Sequence, residues 1–186
     1  MKRLRVVAGV LAAGLLACLP NPQSVKERRE EFPRDGLRGE LLFDRLPDGA
    51  QPIGAVFGDW AELAGYRLDP PNPTPGTRVT ITFYWKALKV MPEDYEVFVH
   101  GDAIGGSANR LHGDHFPAKG KYPTDVWQVG EIVADPFTMF IPPGYGPKVL
   151  GIYTGLYKDS YRVPLTNRGM RPGMPDNRSL AIEIRF

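Results

Sequence analysis

The chain of 186 residues has one cysteine, four serines and three histidines. A single cysteine excludes an internal disulfide, so packing and hydrogen bonds must hold the fold. The serines, Ser24, Ser107, Ser160 and Ser179, leave nucleophilic motifs little to draw on. Gly105-Gly106-Ser107-Ala108-Asn109 misses the G-x-S-x-G elbow at its last position. Long apolar runs are scarce too. Val6 to Ala17 is the main one, and it falls short of the roughly 20 residues of a membrane-spanning helix, which excludes a multi-spanning protein. Long helices and coiled coils are excluded by 21 glycines and 19 prolines, 40 of 186 residues, because both residues break helices. Neither charge sign dominates: 23 basic residues face 21 acidic ones, so no basic face points to nucleic acid.

What is present is aromatic and β-branched. Aromatics make up 11% of the chain, enough rings to bury a core and to argue against disorder. The clearest strand is Thr77 to Lys86, where Val79, Ile81, Phe83 and Trp85 alternate with Arg78, Thr80, Thr82 and Tyr84. Further strands are expected at 53–57, 61–68, 95–101, 131–141, 149–157, 161–165 and 180–186, separated by Gly/Pro turns. Pro136 marks its strand as an edge or a bulge. About eight such strands predict an all-β fold, an antiparallel two-sheet β-sandwich of Ig-like or jelly-roll type, with an open barrel as the rival. Thr166 to Arg178 is a long Gly/Pro/Asn loop before the last strand.

The front end reads as an address. Lys2, Arg3 and Arg5 precede the apolar run, the charged start and apolar centre of an export signal. It closes on Leu15-Leu16-Ala17-Cys18, which resembles the lipobox of bacterial lipoproteins. The resemblance implies cleavage before Cys18 and lipidation of its thiol, and Leu19 in the next position implies the outer membrane. Loss of Lys2, Arg3 and Arg5 takes the basic count from 23 to 20 against 21 acidic residues, a balance of −1. Residues 18–40 are expected to form a charged, flexible tether. A free chain of that length spans roughly 25 Å. Within it, Ser24-Val25-Lys26-Glu27 is a capping-box pattern for a short helix that Pro33 would end. Residues 41–186 are then the sandwich domain.

An ordered set of short strings spans residues 53–165. Phe57-Gly58-Asp59, Leu63-Ala64-Gly65-Tyr66 and Pro75-Gly76 precede the clearest strand; Asp94-Tyr95, Val97-Phe98-Val99-His100, Tyr122-Pro123-Thr124, Trp127, Gly130-Glu131, Ile141-Pro142 and Gly155-Leu156-Tyr157 follow it. The set resembles the Ig-like or jelly-roll β-sandwich at the extracytoplasmic end of some bacterial membrane glycosyltransferases. The resemblance implies a fold and an extracytoplasmic location, and it supplies no catalytic residue. Here the implied lipid anchor would stand in place of transmembrane helices, and Ala103 to Asn109 is a Gly-rich insert where that module has a tight turn.

Three constellations could carry chemistry. His112, Asp114 and His115 offer two imidazoles and a carboxylate to a metal. Asp102, Asp114 and Asp125 are loop carboxylates for a structural calcium; no other cofactor is implied. Glu131 and Asp135 would be the carboxylate pair of a glycoside hydrolase. For ligand binding, Tyr122, Trp127 and Tyr157 are the rings placed to stack on sugars, with Tyr145 and Tyr161 also near loops. The competing reading puts Tyr122 and Trp127 at the ends of the core. The expectation is a non-catalytic, lipid-anchored envelope protein whose sandwich is a binding or assembly module for cell-surface polysaccharide or an envelope protein complex. The alternative is a carbohydrate-active or metal-dependent envelope enzyme.

Overall fold

The structure, a computed structural model, describes residues 24–186. Cys18 and the apolar leader lie outside the described residues. Eleven strands form two antiparallel sheets: β1 (Leu42–Phe43), β2 (Gln51–Phe57), β3 (Ala61–Asp69), β4 (Arg78–Ala87), β5 (Glu96–Ala103), β6 (Leu111–His112), β7 (Ile132–Phe140), β8 (Val149–Lys158), β9 (Tyr161–Arg162), β10 (Leu165–Asn167) and β11 (Ser179–Arg185). The large sheet runs β1-β7-β4-β3-β2-β10. The small sheet runs β11-β8-β5-β6, with β9 paired to β8. The predicted sandwich is the fold, and its long strands stand within a few residues of the predicted spans. β1 and β6, two residues each, have too little pattern to be read from sequence.

Alternation decides which side chains meet between the sheets. Val79, Ile81, Phe83 and Trp85 of β4 point inward, fully buried, against Val97 and Val99 of β5 and Leu150, Ile152 and Leu156 of β8. Each such side chain contributes about 1.5–3 kcal/mol when fully buried. Pro136 lies in β7 beyond the reach of β1, which pairs only with Ile132 and Val133. That stretch of β7 is a sheet edge, where a residue without an N–H is tolerated. A smaller apolar cluster lies on the outer side of the large sheet, where Phe43, Leu46 and Ala50 pack on Tyr84, Ile132 and Ala134.

The segment expected to be a flexible tether is docked from Ser24 onward. Ser24 caps helix α1 (Val25–Glu31): the Glu27 N–H donates to Ser24 Oγ at 3.2 Å, and the Ser24 N–H donates to Glu27 Oε2 at 2.8 Å. A helix of seven residues is marginal by itself. Arginines pin it. Arg28 pairs with the buried Asp125, and Arg29 Nη2 donates to the carbonyls of Asp125 (2.6 Å) and Met91 (3.3 Å). Beyond the helix, Arg34 is buried. Its Nε donates to Tyr122 Oη at 3.0 Å and its Nη2 to the Val126 carbonyl at 2.6 Å, with Glu131 3.6 Å away.

Candidate functional site

The outer face of the small sheet collects the unusual side chains. Period two along β5 puts Glu96, Phe98, His100 and Asp102 on that face. Across the register, Glu96 meets Tyr157, Phe98 meets Gly155, His100 meets Tyr153 and Asp102 meets Gly151 on β8. The glycines make room for the rings: a Cβ on Gly155 would lie 2.7 Å from Phe98 Cζ. On the other side His112 of β6 stands opposite His100, their rings 5.6 Å apart.

A chain of charges runs over these rings. Arg110 forks onto Asp102, Nε at 2.6 Å and Nη2 at 3.0 Å. Arg178 Nη1 donates to the same carboxylate at 2.9 Å, stacks 4.8 Å from the Tyr153 centroid and reaches Asp176 at 2.8 Å. Asp176 also receives Arg162 at 3.2 Å, and Arg162 lies 4.6 Å over Phe98. Cation–π contacts of this kind contribute about 0.5–2 kcal/mol each. Phe98, Tyr153 and His100 are buried beneath them, His100 only 7% exposed. Burial, with Arg110 nearby, pushes the His100 pKa below its ordinary value. The carboxyl of Asp102 is held below its usual range, since Arg110 and Arg178 outweigh its burial.

Towards Glu96 and His112 the face opens. Tyr157 is half-buried and donates its hydroxyl to Glu96 at 3.0 Å. Burial and the Glu96 carboxylate push that hydroxyl up to about 12. His112 and Asp114 are exposed. A groove continues from Asp102, Arg110 and His112 along Gly106, Ser107 and Ala108 of the β5–β6 loop.

The structure separates the ring candidates, and Tyr122 and Trp127 follow the reading that puts them in the core. Tyr157 has ring surface at the face. Tyr122 and Trp127 are fully buried: the Trp127 indole N–H donates to the Tyr122 carbonyl at 2.9 Å, and Tyr122 Oη donates to Glu131 at 2.5 Å. Neither ring presents a plane for a sugar. Tyr145 is buried and Tyr161 exposed.

The metal set His112, Asp114 and His115 does not converge. His112 points out on β6, Asp114 Oδ1 accepts the Val99 N–H at 2.8 Å, and His115 turns inward to the fully buried Asp135, 3.0 Å from both carboxylate oxygens. Consecutive residues of an extended segment face opposite ways, which separates Asp114 from His115. Among the described residues, no three His, Cys, Asp or Glu side chains are grouped to hold a metal ion. The calcium candidates are likewise dispersed. Asp102 binds two arginines, Asp125 lies under α1, and Asp114 caps a strand N–H. Glu131 and Asp135 are each committed to a partner, Glu131 to the buried Tyr122 and Asp135 to the half-buried His115. Ser107, His112 and Asp102 share the groove, but Asp102 is occupied by arginines, and no hydrogen bond joins Ser107 to His112 among the described residues.

Sequence reasoning missed Glu96, Phe98, Tyr153, Arg162 and Arg178. The alternation Glu96-Phe98-His100-Asp102 was the available signal. Arg162 reaches the face from the two-residue strand β9 and Arg178 from the loop before β11, where no pattern announces them.

No protein-family model matches the chain, and no curated protein or solved structure is significantly similar to it.

Proposed function

We propose that this chain is a lipid-anchored, non-catalytic binding module of a bacterial envelope, and that the outer face of β5, β6 and β8 takes cell-surface polysaccharide. The carrying observation is that face's composition. Tyr157 offers apolar ring surface, while Glu96, His112 and Asp114 offer exposed or half-exposed hydrogen-bonding groups beside it. Sugar recognition asks for both at once. The rings beneath are locked by packing and by the arginine–aspartate chain, which keeps the face preorganised and lowers the ordering cost of binding. The resemblance of residues 53–165 to an extracytoplasmic sandwich module agrees with this placement. Lipobox-directed anchoring at Cys18 belongs to the same reading.

A second reading, docking to an envelope protein complex, is favoured by β11. It ends the small sheet, and across its outer edge only the Leu180 N–H, donating to the Pro172 carbonyl at 3.1 Å, is bonded among the described residues. Open edges invite another strand.

The test is an amide NMR titration of the full chain in detergent micelles with polysaccharide from its own envelope. Shifts at Glu96, His112, Asp114 and Tyr157 are expected, with affinity reduced up to about tenfold by Tyr157→Ala, since an aromatic contact contributes about 0.5–1.5 kcal/mol. Absence of shifts at millimolar sugar overturns the glycan reading. Shifts confined to β11 on adding envelope extract would favour the protein complex.

A further inference from the structure

The loops of the sandwich divide between two ends. One end carries the β2–β3 turn, the β4–β5 loop, the segment 117–131 and the β8–β9 turn. They are tied together: Lys89 pairs with Asp59, Lys158 with Glu93, and the Thr124 N–H donates to Asp94 at 2.8 Å. The opposite end carries the loops 70–77, 104–110 and 141–148 and Phe186, whose N–H donates to the Lys148 carbonyl at 2.9 Å. With β4 of ten residues and a rise of about 3.3 Å per residue, the ends are roughly 30 Å apart.

Helix α1 belongs to the first end, because Arg28 and Arg29 hold it on Met91 and Asp125. The chain that would carry the lipid therefore enters the fold there. From Cys18 to the cap Ser24 are six residue steps, at most about 20 Å of extended chain. The same end exposes two valines at neighbouring loop tips, Val90 (46% exposed) and Val129 (60%). The tips are joined where the Gly130 N–H donates to the Ala87 carbonyl at 2.9 Å and the Ala87 N–H to the Glu131 carbonyl at 3.0 Å. Of the cations at this end, Lys26 pairs with Glu30, Arg28 with Asp125, Lys89 with Asp59 and Lys158 with Glu93, while Lys119 and Lys121 of the segment 117–131 stand exposed.

We propose that the end bearing α1, Val90 and Val129 faces the lipid surface, and that docked α1 is a collar holding it there. The ligand face on β5, β6 and β8 then stands upright from the bilayer, with the groove at Gly106 and Ser107 at the far end. The proposal rests on anchoring at Cys18. It differs from what a flexible tether would do, which is to let the domain tumble about its anchor.

The experiment uses the full chain, processed and acylated, in phosphatidylcholine vesicles. Acylation blocks the only native thiol, so single cysteines at exposed positions can be labelled uniquely: Val90→Cys and Val129→Cys at one end, Asn109→Cys and Gly144→Cys at the other. A fluorophore on each is challenged with spin-labelled lipid headgroups. Quenching several-fold stronger at 90 and 129 than at 109 and 144 is expected. Equal quenching at both ends in vesicle-bound protein, or a reversed order, overturns the proposal. Arg28→Ala with Arg29→Ala is expected to abolish the difference while the protein stays on the vesicles; a full difference in that variant overturns the collar. The mass of the N-terminal peptide reads anchoring separately. Protein without acyl mass that remains in the supernatant overturns the anchoring reading itself, and Cys18→Ser is expected to behave that way.

Discussion

At the scale of single residues, two histidines titrate in opposite senses. His115 has an acceptor at each ring nitrogen: the Gly113 carbonyl 2.5 Å from Nδ1, and both Asp135 oxygens 3.0 Å from Nε2. A neutral imidazole has one N–H and could satisfy only one of them. Burial opposes the charge, but the bond and charge of Asp135 and the Gly113 carbonyl prevail, so the pKa of His115 is raised. Its stabilisation is complete below the unfolded value, about 6.5, and is lost as pH rises through the higher folded value. His100 has its pKa lowered by burial and by Arg110, against the opposing pull of Asp114. Its contribution is present above about pH 6.5 and lost as pH falls. Thermal denaturation between pH 5 and 8 separates them. Relative to wild type, His115→Gln is expected to lose more stability at pH 5 than at pH 8. Asp135 would then keep only the Ala118 N–H, at 2.9 Å, and removing one member of a buried pair costs up to about 3–5 kcal/mol. His100→Gln should show the smaller deficit at pH 5. Parallel pH curves for both variants and wild type would contradict the assignment of charge to His115.

At the scale of elements, β8 depends on its glycines. A Cβ at Gly155 would approach Phe98 Cζ to 2.7 Å and Phe57 Cε1 to 2.9 Å, meeting rings that are themselves enclosed. Gly155→Ala is therefore expected to cost about 1–3 kcal/mol, read from urea denaturation. It should also weaken polysaccharide binding, because Phe98 underlies the face. An unchanged denaturation midpoint would show that the rings move aside freely. The long strands were legible because alternation survives in their sequence: β4 reads as a strand from Val79, Ile81, Phe83 and Trp85 alone. The site was not. Tyr122 and Trp127 stand in a Pro/Gly-rich segment without alternation, and the contacts that take them inside, Arg34 and Glu131 on Tyr122 and the Tyr122 carbonyl on the Trp127 indole, leave no mark in the sequence. The helix at Ser24 was legible from its cap, but its docking was not. Arg28, Arg29 and Arg34 look like solvated charges until Asp125 and Glu131 arrive from about a hundred residues away to meet them.

At the scale of the whole molecule, that docking makes residues 24–40 part of the cooperative fold. Arg34 and Glu131 are both largely withdrawn from water and 3.6 Å apart, and Arg34 also satisfies Tyr122 Oη and the Val126 carbonyl. A chain beginning at residue 41 would leave Glu131 without its cation and Tyr122 Oη without the Arg34 donor, and would leave the Val126 carbonyl only the longer bond from Tyr122 Oη at 3.3 Å. Removing one member of a buried pair costs about 3–5 kcal/mol. The Arg28–Asp125 pair adds less, because Arg28 is nearly half exposed and solvent screens it. For a domain of this size each kcal/mol lowers Tm by about 2–4 °C, so residues 41–186 are expected to melt roughly 10 °C below residues 24–186. Calorimetry of the two fragments makes the comparison in one buffer. A spacer with no part in the fold would leave Tm unchanged on removal, and that result would return residues 24–40 to the role of a passive tether. A single sharp transition for residues 24–186, lowered as a whole in the shorter chain, means that anchor segment and sandwich unfold together, so that whatever fixes the helix also fixes the domain above it.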